Sequence, residues 1–143
     1  MDRNEILNME AGRELDELIA LEIFKAKKSE YKGPIKIYET DEYRWRDWEL
    51  PEWSNDIEMA WWLVEKLTNL ELGDKMRTFK IVRATKYIEP KGEYNPWGYD
   101  AYFGPRYDPS HHSDLVAWGD TAPEAICKAA LLSKFVAIVE GAA

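Results

Sequence analysis

Three segments with helical periodicity frame this chain, and a strand-rich stretch lies between the second and the third. Apolar residues recur at helical spacing within residues 2–24, and a second apolar stripe follows a predicted helix start at Ser54 or Asn55. The third segment opens with the capping box Thr121-x-x-Glu124. This order of elements favours an α+β fold in which helices cover a sheet.

The three predicted helices differ in their apolar faces. Gly12 divides the first into a short turn and a longer helix that ends near Phe24. The second is predicted to end near Gly73, and its predicted core stripe is Ile57, Ala60, Trp61, Val64 and Leu67. Trp62 lies outside the centre of that stripe. The third runs to about Val139, and its ridge of small residues is Ala125, Ala129, Ser133 and Ala137.

The strand-rich stretch contains one long predicted strand, Thr78–Ile88, because β-branched and aromatic residues dominate it. Residues 99–103 and 115–118 are predicted as shorter strands, and residues 35–38 as an added edge strand. Turns that contain Gly and Pro join the later strands, which favours an antiparallel meander over a parallel sheet. The predicted fold is therefore α+β: an antiparallel sheet of three to four strands covered by three helices, an α-β-α sandwich.

Length and charge limit the classes of protein that the chain can represent. With 143 residues, we expect one domain over residues 1–143. The net charge of −8 argues against duplex DNA, other nucleic-acid polymers or an anionic membrane as the main partner. Residues 39–58 are acidic and residues 75–91 basic; the basic segment fits a solvated strand face, an anion site or an interface. Apolar stretches too short to span a bilayer indicate an intracellular protein.

No catalytic constellation stands out in the sequence. His111 and His112 are adjacent and lack the i, i+4 spacing of a helical metal pair. Cys127 is the single cysteine and lies near an apolar helix face, which favours a buried hydrophobe over a nucleophile. No glycine-rich phosphate loop and no Gly-x-Ser-x-Gly elbow occurs. We therefore expect no enzyme, no metal and no cofactor.

Aromatic residues concentrate in two windows of the sequence, mixed with arginines. The windows comprise Tyr43, Trp45, Trp48, Trp53, Trp61 and Trp62, then Tyr94, Trp97, Tyr99, Tyr102, Phe103 and Tyr107. Three arrangements would cover these rings: a satellite core, another subunit, or a planar ligand. Rings that stack on a base, beside guanidinium groups that bind phosphate, suit a nucleotide.

Three ordered motifs resemble a known family. They are residues 9–16 (MEAGRELD), residues 53–57 (WSNDI) with the helix after them, and residues 121–131 (TAPEAICKAAL). Together they resemble the phage ABA sandwich domain family of small phage and prophage proteins. The resemblance implies helices on both faces of a sheet. Residues 38–53 and the loop around residues 90–112 depart from the family pattern.

The resemblance also implies a function, similar to that of the Thoeris anti-defence sponges. Those proteins form oligomers and trap cyclic ADP-ribose isomers or cyclic oligonucleotides without cleaving them. We therefore expect a phage or prophage protein that sequesters a nucleotide-derived signalling molecule in the cytoplasm of the infected bacterium, blocking host immune signalling. The alternative is a small phage interaction protein whose aromatic surface binds a host or phage protein and no small molecule.

Two further expectations follow for the site and the assembly. The predicted ligand-binding residues, at the rim of the sheet and beside it, are Arg83, Tyr102, Phe103, Arg106, Tyr107 and Lys128. At least one ring of the strand end should be exposed at this rim. A homo-oligomer is expected because Trp62 and the small-residue ridge of the last helix could pack against a second copy.

Overall fold

The computed structural model describes residues 1–31, 35–69, 78–88, 93–104 and 115–135, and has an α+β fold. The helices are α1 (Arg3–Asn8), α2 (Arg13–Leu18), α3 (Ile57–Asn69) and α4 (Ala122–Phe135), with a π turn at Ile19–Ile23 and a 3-10 turn at Asp47–Glu49. The strands are β1 (Lys27–Tyr31), β2 (Ile35–Glu39), β3 (Arg44–Arg46), β4 (Thr78–Ile88), β5 (Glu93–Gly104) and β6 (Ala117–Gly119). The predicted α+β sandwich class is confirmed, with four helices and two three-stranded antiparallel sheets described.

Gly12 separates the first two helices, as the sequence predicts. Its φ of 142° lies in a region that side chains with a Cβ rarely adopt. The Gly12 amide donates to the Ser54 hydroxyl at 2.9 Å, which ties this junction to the segment before α3. Asp2 caps α1 by accepting a hydrogen bond from the Glu5 amide at 2.9 Å. The predicted first helix is therefore two short helices followed by the π turn.

The first sheet is not part of the predicted fold. Its order is β1-β2-β3 with antiparallel pairing. The sequence predicts residues 35–38 as an edge strand of the main sheet, but β2 lies in the centre of a separate sheet. The sequence KKSEY makes β1 too polar, and three residues make β3 too short, to produce a recognisable strand pattern.

The second sheet is the predicted antiparallel meander, in the order β4-β5-β6. β4 has the predicted bounds. β5 begins at Glu93, before the predicted residue 99, because Pro96 and Gly98 suggest a turn where the strand in fact continues. The pairing shifts register between Ala84 and Lys86, opposite residues 95–98, and such an irregularity accommodates a proline in a strand.

α4 is the central element of the core. It packs on β5 and β6 and also contacts α1, α3 and the π turn. Residues 123–133 are all buried. Thr121 caps the helix by accepting from the Glu124 amide at 3.3 Å, as the predicted capping box requires. The small residues Ala125, Ala129 and Ser133 are thus buried within the chain, whereas Ala137 and the predicted helix end lie outside the described residues.

The buried face of α3 includes three of the five residues of the predicted stripe. Ala60, Leu63, Val64 and Leu67 are buried, whereas Ile57 and Trp61 are about half exposed. Trp62 packs against Phe24, with ring centres 4.7 Å apart. The two features from which an oligomer was expected are therefore packed inside the chain, because Trp62 and the described part of the small-residue ridge contact other residues of their own chain. The predicted end of this helix near Gly73 lies outside the described residues.

Candidate functional site

The predicted aromatic residues of the sheet rim are buried. Phe103 belongs to the core, and its ring centre lies 4.9 Å from that of Phe79 on the neighbouring strand. Tyr102 is also buried, and its ring lies against Gly104, where a Cβ would collide with it. The expectation of an exposed ring at this strand end is wrong, because β5 is covered by α4 on one face and Tyr102 is enclosed on the other.

The structure describes two of the four remaining predicted residues. Lys128 is 4% exposed, and its amine donates to Glu124 Oε2 and to the Leu7 carbonyl, both at 3.0 Å. Arg83 is exposed, with its guanidinium 5.4 Å from the ring centre of Tyr99. Arg106 and Tyr107 lie outside the described residues. Ligand binding by this set stays a prediction.

A different site combines lysines with an aromatic ring. It is a pocket of about 530 Å³ where the corner before β1, the β2–β3 hairpin and α3 meet. We call it the lysine pocket; its lining residues are Phe24, Lys25, Lys27, Glu39, Thr40, Asp41, Glu42, Tyr43 and Lys66. Its volume lies within the range usual for small-molecule sites.

The basic wall of the lysine pocket comes from two parts of the chain. Lys25 has a φ of 60°, which is uncommon for a residue with a side chain. A hydrogen bond with Lys134, burial and the charge of Lys134 lower the pKa of Lys25. Lys66 on α3 lies over the Phe24 ring, 4.9 Å from its centre. Among the described residues, no carboxylate forms an ion pair with any of these three lysines.

The opposite wall is a rigid hairpin turn. The Thr40 hydroxyl accepts from the Tyr43 amide at 2.8 Å and from the Glu42 amide at 3.2 Å. The Thr40 amide donates to the Tyr43 carbonyl at 2.8 Å. These bonds hold Asp41 and Glu42 at the turn, where their carboxylates can accept hydrogen bonds from ligand hydroxyl or amino groups.

An aromatic cluster forms the floor beneath the hairpin. The Tyr43 and Trp45 rings stack with centres 5.4 Å apart and planes 5° apart, and Trp45 meets Trp53 edge to face at 5.6 Å. Trp45 and Trp53 are buried. Both rings belong to the main core of the chain, so they are covered by their own chain, although not as a separate satellite core. Tyr43 is 38% exposed, so it offers part of its ring to the pocket.

The single thiol and the possible metal ligands can be assessed in the described part of the chain. Burial, followed by the nearby charges of Asp16 and Glu124, raises the pKa of the buried Cys127 thiol, which keeps it protonated. Within the described ranges, His, Cys, Asp and Glu side chains form no group of three that could hold a metal ion. His111 and His112 lie outside those ranges. The lysine pocket presents the ammonium groups of Lys25, Lys27 and Lys66 together with part of the Tyr43 ring.

One local feature of the sequence indicates this site. Residues 25–28 read KAKK directly after the first predicted helix, a local concentration of lysine in an acidic chain. The other walls are distant in sequence, at residues 39–43 and at Lys66. Only the folded first sheet brings the three segments together.

Comparison with protein families agrees with this architecture. The family model of the Phage ABA sandwich domain matches residues 17–131, which include both sheets. No curated protein and no solved structure matches the chain. In the described part of the chain, no helix has the length and apolar character needed to cross a membrane. The match confirms the resemblance seen in the sequence, and the chain therefore belongs to the Phage ABA sandwich domain family of phage proteins.

Proposed function

We propose that this protein binds a nucleotide-derived signalling molecule in the lysine pocket and sequesters it without cleaving it. The main support is that three lysines, Lys25, Lys27 and Lys66, line one pocket. Bringing ammonium groups together is unfavourable unless an anion neutralises them. A phosphate or diphosphate group carries the charge that this arrangement attracts.

Tyr43 supports a nucleotide over a simple anion. Its partly exposed ring is backed by Trp45, so a base that stacks on it meets a surface that is already ordered. The hairpin carboxylates of Asp41 and Glu42 are placed to accept hydrogen bonds from ribose hydroxyls or base amino groups. The ligand class that fits all three walls is a small phosphorylated nucleotide.

Sequestration requires affinity only, and in an infected bacterium it would block immune signalling that uses such a molecule. The test is to mix the protein with cyclic ADP-ribose isomers and cyclic dinucleotides, remove free ligand, and then denature the protein by heat. Release of intact ligand supports the proposal. Release of an altered ligand would instead indicate an enzyme.

Calorimetric titration of variants locates the site. A phosphate bond to a charged donor contributes roughly 1.5–3 kcal/mol, so Lys25→Ala or Lys66→Ala should weaken binding about 10- to 150-fold. Lys36→Ala is the matched control, since Lys36 lies on β2 outside the pocket. Unchanged affinity in both pocket variants, with the fold intact, would exclude this pocket.

A protein partner is the second candidate function. The observation that favours it is Trp48, whose side chain is 64% exposed while Trp45 and Trp53 are buried. Exposed tryptophan beside arginine is typical of protein interfaces. The release assay separates the two functions, because a protein with only macromolecular partners takes up no nucleotide.

A further inference from the structure

A second cavity, of about 370 Å³, lies between the start of α2, the 3-10 turn and the segment that leads into α3. We call it the Asp16 pocket; its lining residues are Gly12, Arg13, Asp16, Asp47, Trp48, Leu50, Glu52 and Asn55. Ser54 joins two of these segments, because its amide donates to Asp16 Oδ1 at 2.8 Å and its hydroxyl accepts from the Gly12 amide at 2.9 Å. The cavity is large enough for a small ligand, and the proposed nucleotide function does not use it.

Asp16 forms the buried wall of this pocket. It is only 5% exposed, and its hydrogen-bond donors are the amide and the hydroxyl of Ser54, both of which are neutral. Within the described ranges, no basic side chain forms an ion pair with Asp16 or with Glu52. Buried charges in proteins are normally paired, so the Asp16 carboxylate lacks the cation that usually accompanies such a group.

The arginine that lines the same pocket is already engaged. Arg13 forms an ion pair with the Asp47 carboxylate, and it also donates to the Asp47 carbonyl at 3.0 Å. Burial is the main cause of the raised pKa of Asp16, and the charge of Glu52 raises this pKa further, which places the two carboxylates near each other. The pocket therefore holds three carboxylates and one guanidinium, and two of the carboxylates have no cation.

The remaining lining residues favour an organic cation over a metal ion. In the described part of the chain, the acidic side chains form no group of three that could hold a metal. Trp48 is 64% exposed, and an indole ring is the side chain that attracts a cation most strongly. Leu50 adds apolar surface, and the Asn55 side chain carries a further oxygen that can accept a hydrogen bond. An ammonium group on an alkyl stem matches this combination, because its three N–H donors need oxygens and its stem needs apolar contact.

We propose that the Asp16 pocket binds the ammonium group of an aliphatic amine. The ammonium donates charged hydrogen bonds to Asp16 and Glu52, and the alkyl stem lies against Leu50 and Trp48. Binding supplies the positive charge that the buried carboxylate lacks within the chain. A free diamine and the lysine side chain of a partner protein share this chemistry, and the choice of probes separates the two sources.

Calorimetric titration of the whole chain at constant ionic strength tests the proposal, with 1,5-diaminopentane and Nα-acetyl-lysine methylamide as probes. Saturable binding is expected at millimolar concentration. Tighter binding of the diamine indicates a free amine, and tighter binding of the lysine derivative indicates a lysine of a partner. Tetramethylammonium is the control ligand, because it carries the same charge but donates no hydrogen bond, and it should bind about tenfold more weakly or less.

Variants identify the carboxylates that hold the amine. Asp16→Asn keeps an oxygen for the Ser54 amide but removes the charge, so it should weaken binding about tenfold or more. Glu52 is exposed, so Glu52→Gln should weaken binding only about two- to fivefold. Glu14→Gln is the matched control, because Glu14 is an exposed carboxylate of α2 outside the pocket. Circular dichroism verifies that each variant is folded.

A pH series adds a measurement that a purely structural role of Asp16 would not change. Burial raises the pKa of Asp16 to about 6, so the wild type should bind the diamine about tenfold more weakly at pH 5 than at pH 7.5, because a proton then occupies the carboxylate. The other charged or titratable groups near Asp16 are Arg13, Glu52 and, on α4, Cys127, whose buried thiol stays protonated. Glu52→Gln should keep the pH dependence of binding, and Asp16→Asn should lose it.

Three results would overturn the proposal. They are no saturable binding of either amine at millimolar concentration, equal affinity of wild type and folded Asp16→Asn, or a loss of affinity in Glu14→Gln as large as that in Asp16→Asn. None of these measurements involves a nucleotide, so their outcome is independent of the proposed function.

Discussion

The buried middle of α4 and the pocket beside its end use lysine in opposite ways. Lys128 is buried, and its amine bonds to Glu124 and to the Leu7 carbonyl. Lys134, six residues later on the same helix, is exposed and lies beside Lys25. The first lysine completes its hydrogen bonds inside the chain, whereas the second lowers the pKa of Lys25, which lines the lysine pocket. Burial and pairing, more than charge, separate a structural lysine from one that is available to a ligand.

The largest change in the free energy of unfolding is expected when the buried pair of Lys128 and Glu124 is broken. Lys128→Met removes both hydrogen bonds and leaves the Glu124 carboxylate buried without its partner, which typically costs about 3–5 kcal/mol. Urea unfolding should show this loss in the free energy of unfolding. Lys134→Met is the control and should stay within about 0.5 kcal/mol of wild type. An equal loss in both variants would contradict the contrast between the two lysines.

Asp16 is a buried carboxylate without a lysine partner, and the pH dependence of folding stability tests its role. Burial raises the pKa of Asp16 to about 6, from an ordinary value of 3.8, although the Ser54 amide donates to it at 2.8 Å. Glu52 raises this pKa further, and Arg13 lowers it. Between pH 4 and 6 the folded chain binds more protons than the unfolded chain, so stability falls as pH rises.

Asp16→Asn should remove this dependence while retaining an oxygen that accepts from the Ser54 amide. At pH 8 the variant should be more stable than wild type by up to about 3 kcal/mol, from roughly two pKa units. Near pH 4 the difference should be small. Thermal unfolding of both proteins across pH 4–8 measures this difference in stability. A difference that stays constant with pH would contradict the prediction.

The smallest change in the free energy of unfolding is expected for the exposed lysines Lys25 and Lys134. Lys25→Ala with Lys134→Ala should change the free energy of unfolding by about 0.5 kcal/mol or less, because exposed charges contribute little. Pyrophosphate at ten times its dissociation constant should stabilise the wild type by about 1.4 kcal/mol and the double variant much less. Sulfate at matched ionic strength controls for salt. Equal stabilisation of both proteins would show that the phosphate does not bind at these lysines.

The second sheet and α4 were predictable because local chemistry and tertiary packing agree there. β4 is rich in β-branched residues, and the Thr121 cap marks the start of α4. The first sheet was not predictable, since β1 is polar and β3 has three residues. The stripe of α3 was predicted only in part. It included Ile57 and Trp61, which are about half exposed, and missed the buried Leu63, because all three are apolar and only tertiary contacts decide which are covered.

The candidate site was less predictable than the fold. The predicted site includes Tyr102 and Phe103 at the end of β5, and both rings are buried. The lysine pocket depends on residues from three distant segments, and a ligand site of this kind leaves no spacing rule in the sequence. Trp45 and Trp53 pack in the main core, and only the contacts of the folded chain show which covering these two rings have.

The stack of Tyr43 on Trp45 gives the lysine pocket an intrinsic optical reporter. Tyr43 lies between the pocket and a buried indole that also contacts Trp53. A base that stacks on the open side of Tyr43 changes the electronic surroundings of these rings and should quench or shift the tryptophan emission. Occupancy of the pocket can therefore be followed by fluorescence on the unlabelled chain, with Tyr43→Leu as the variant in which the signal is lost.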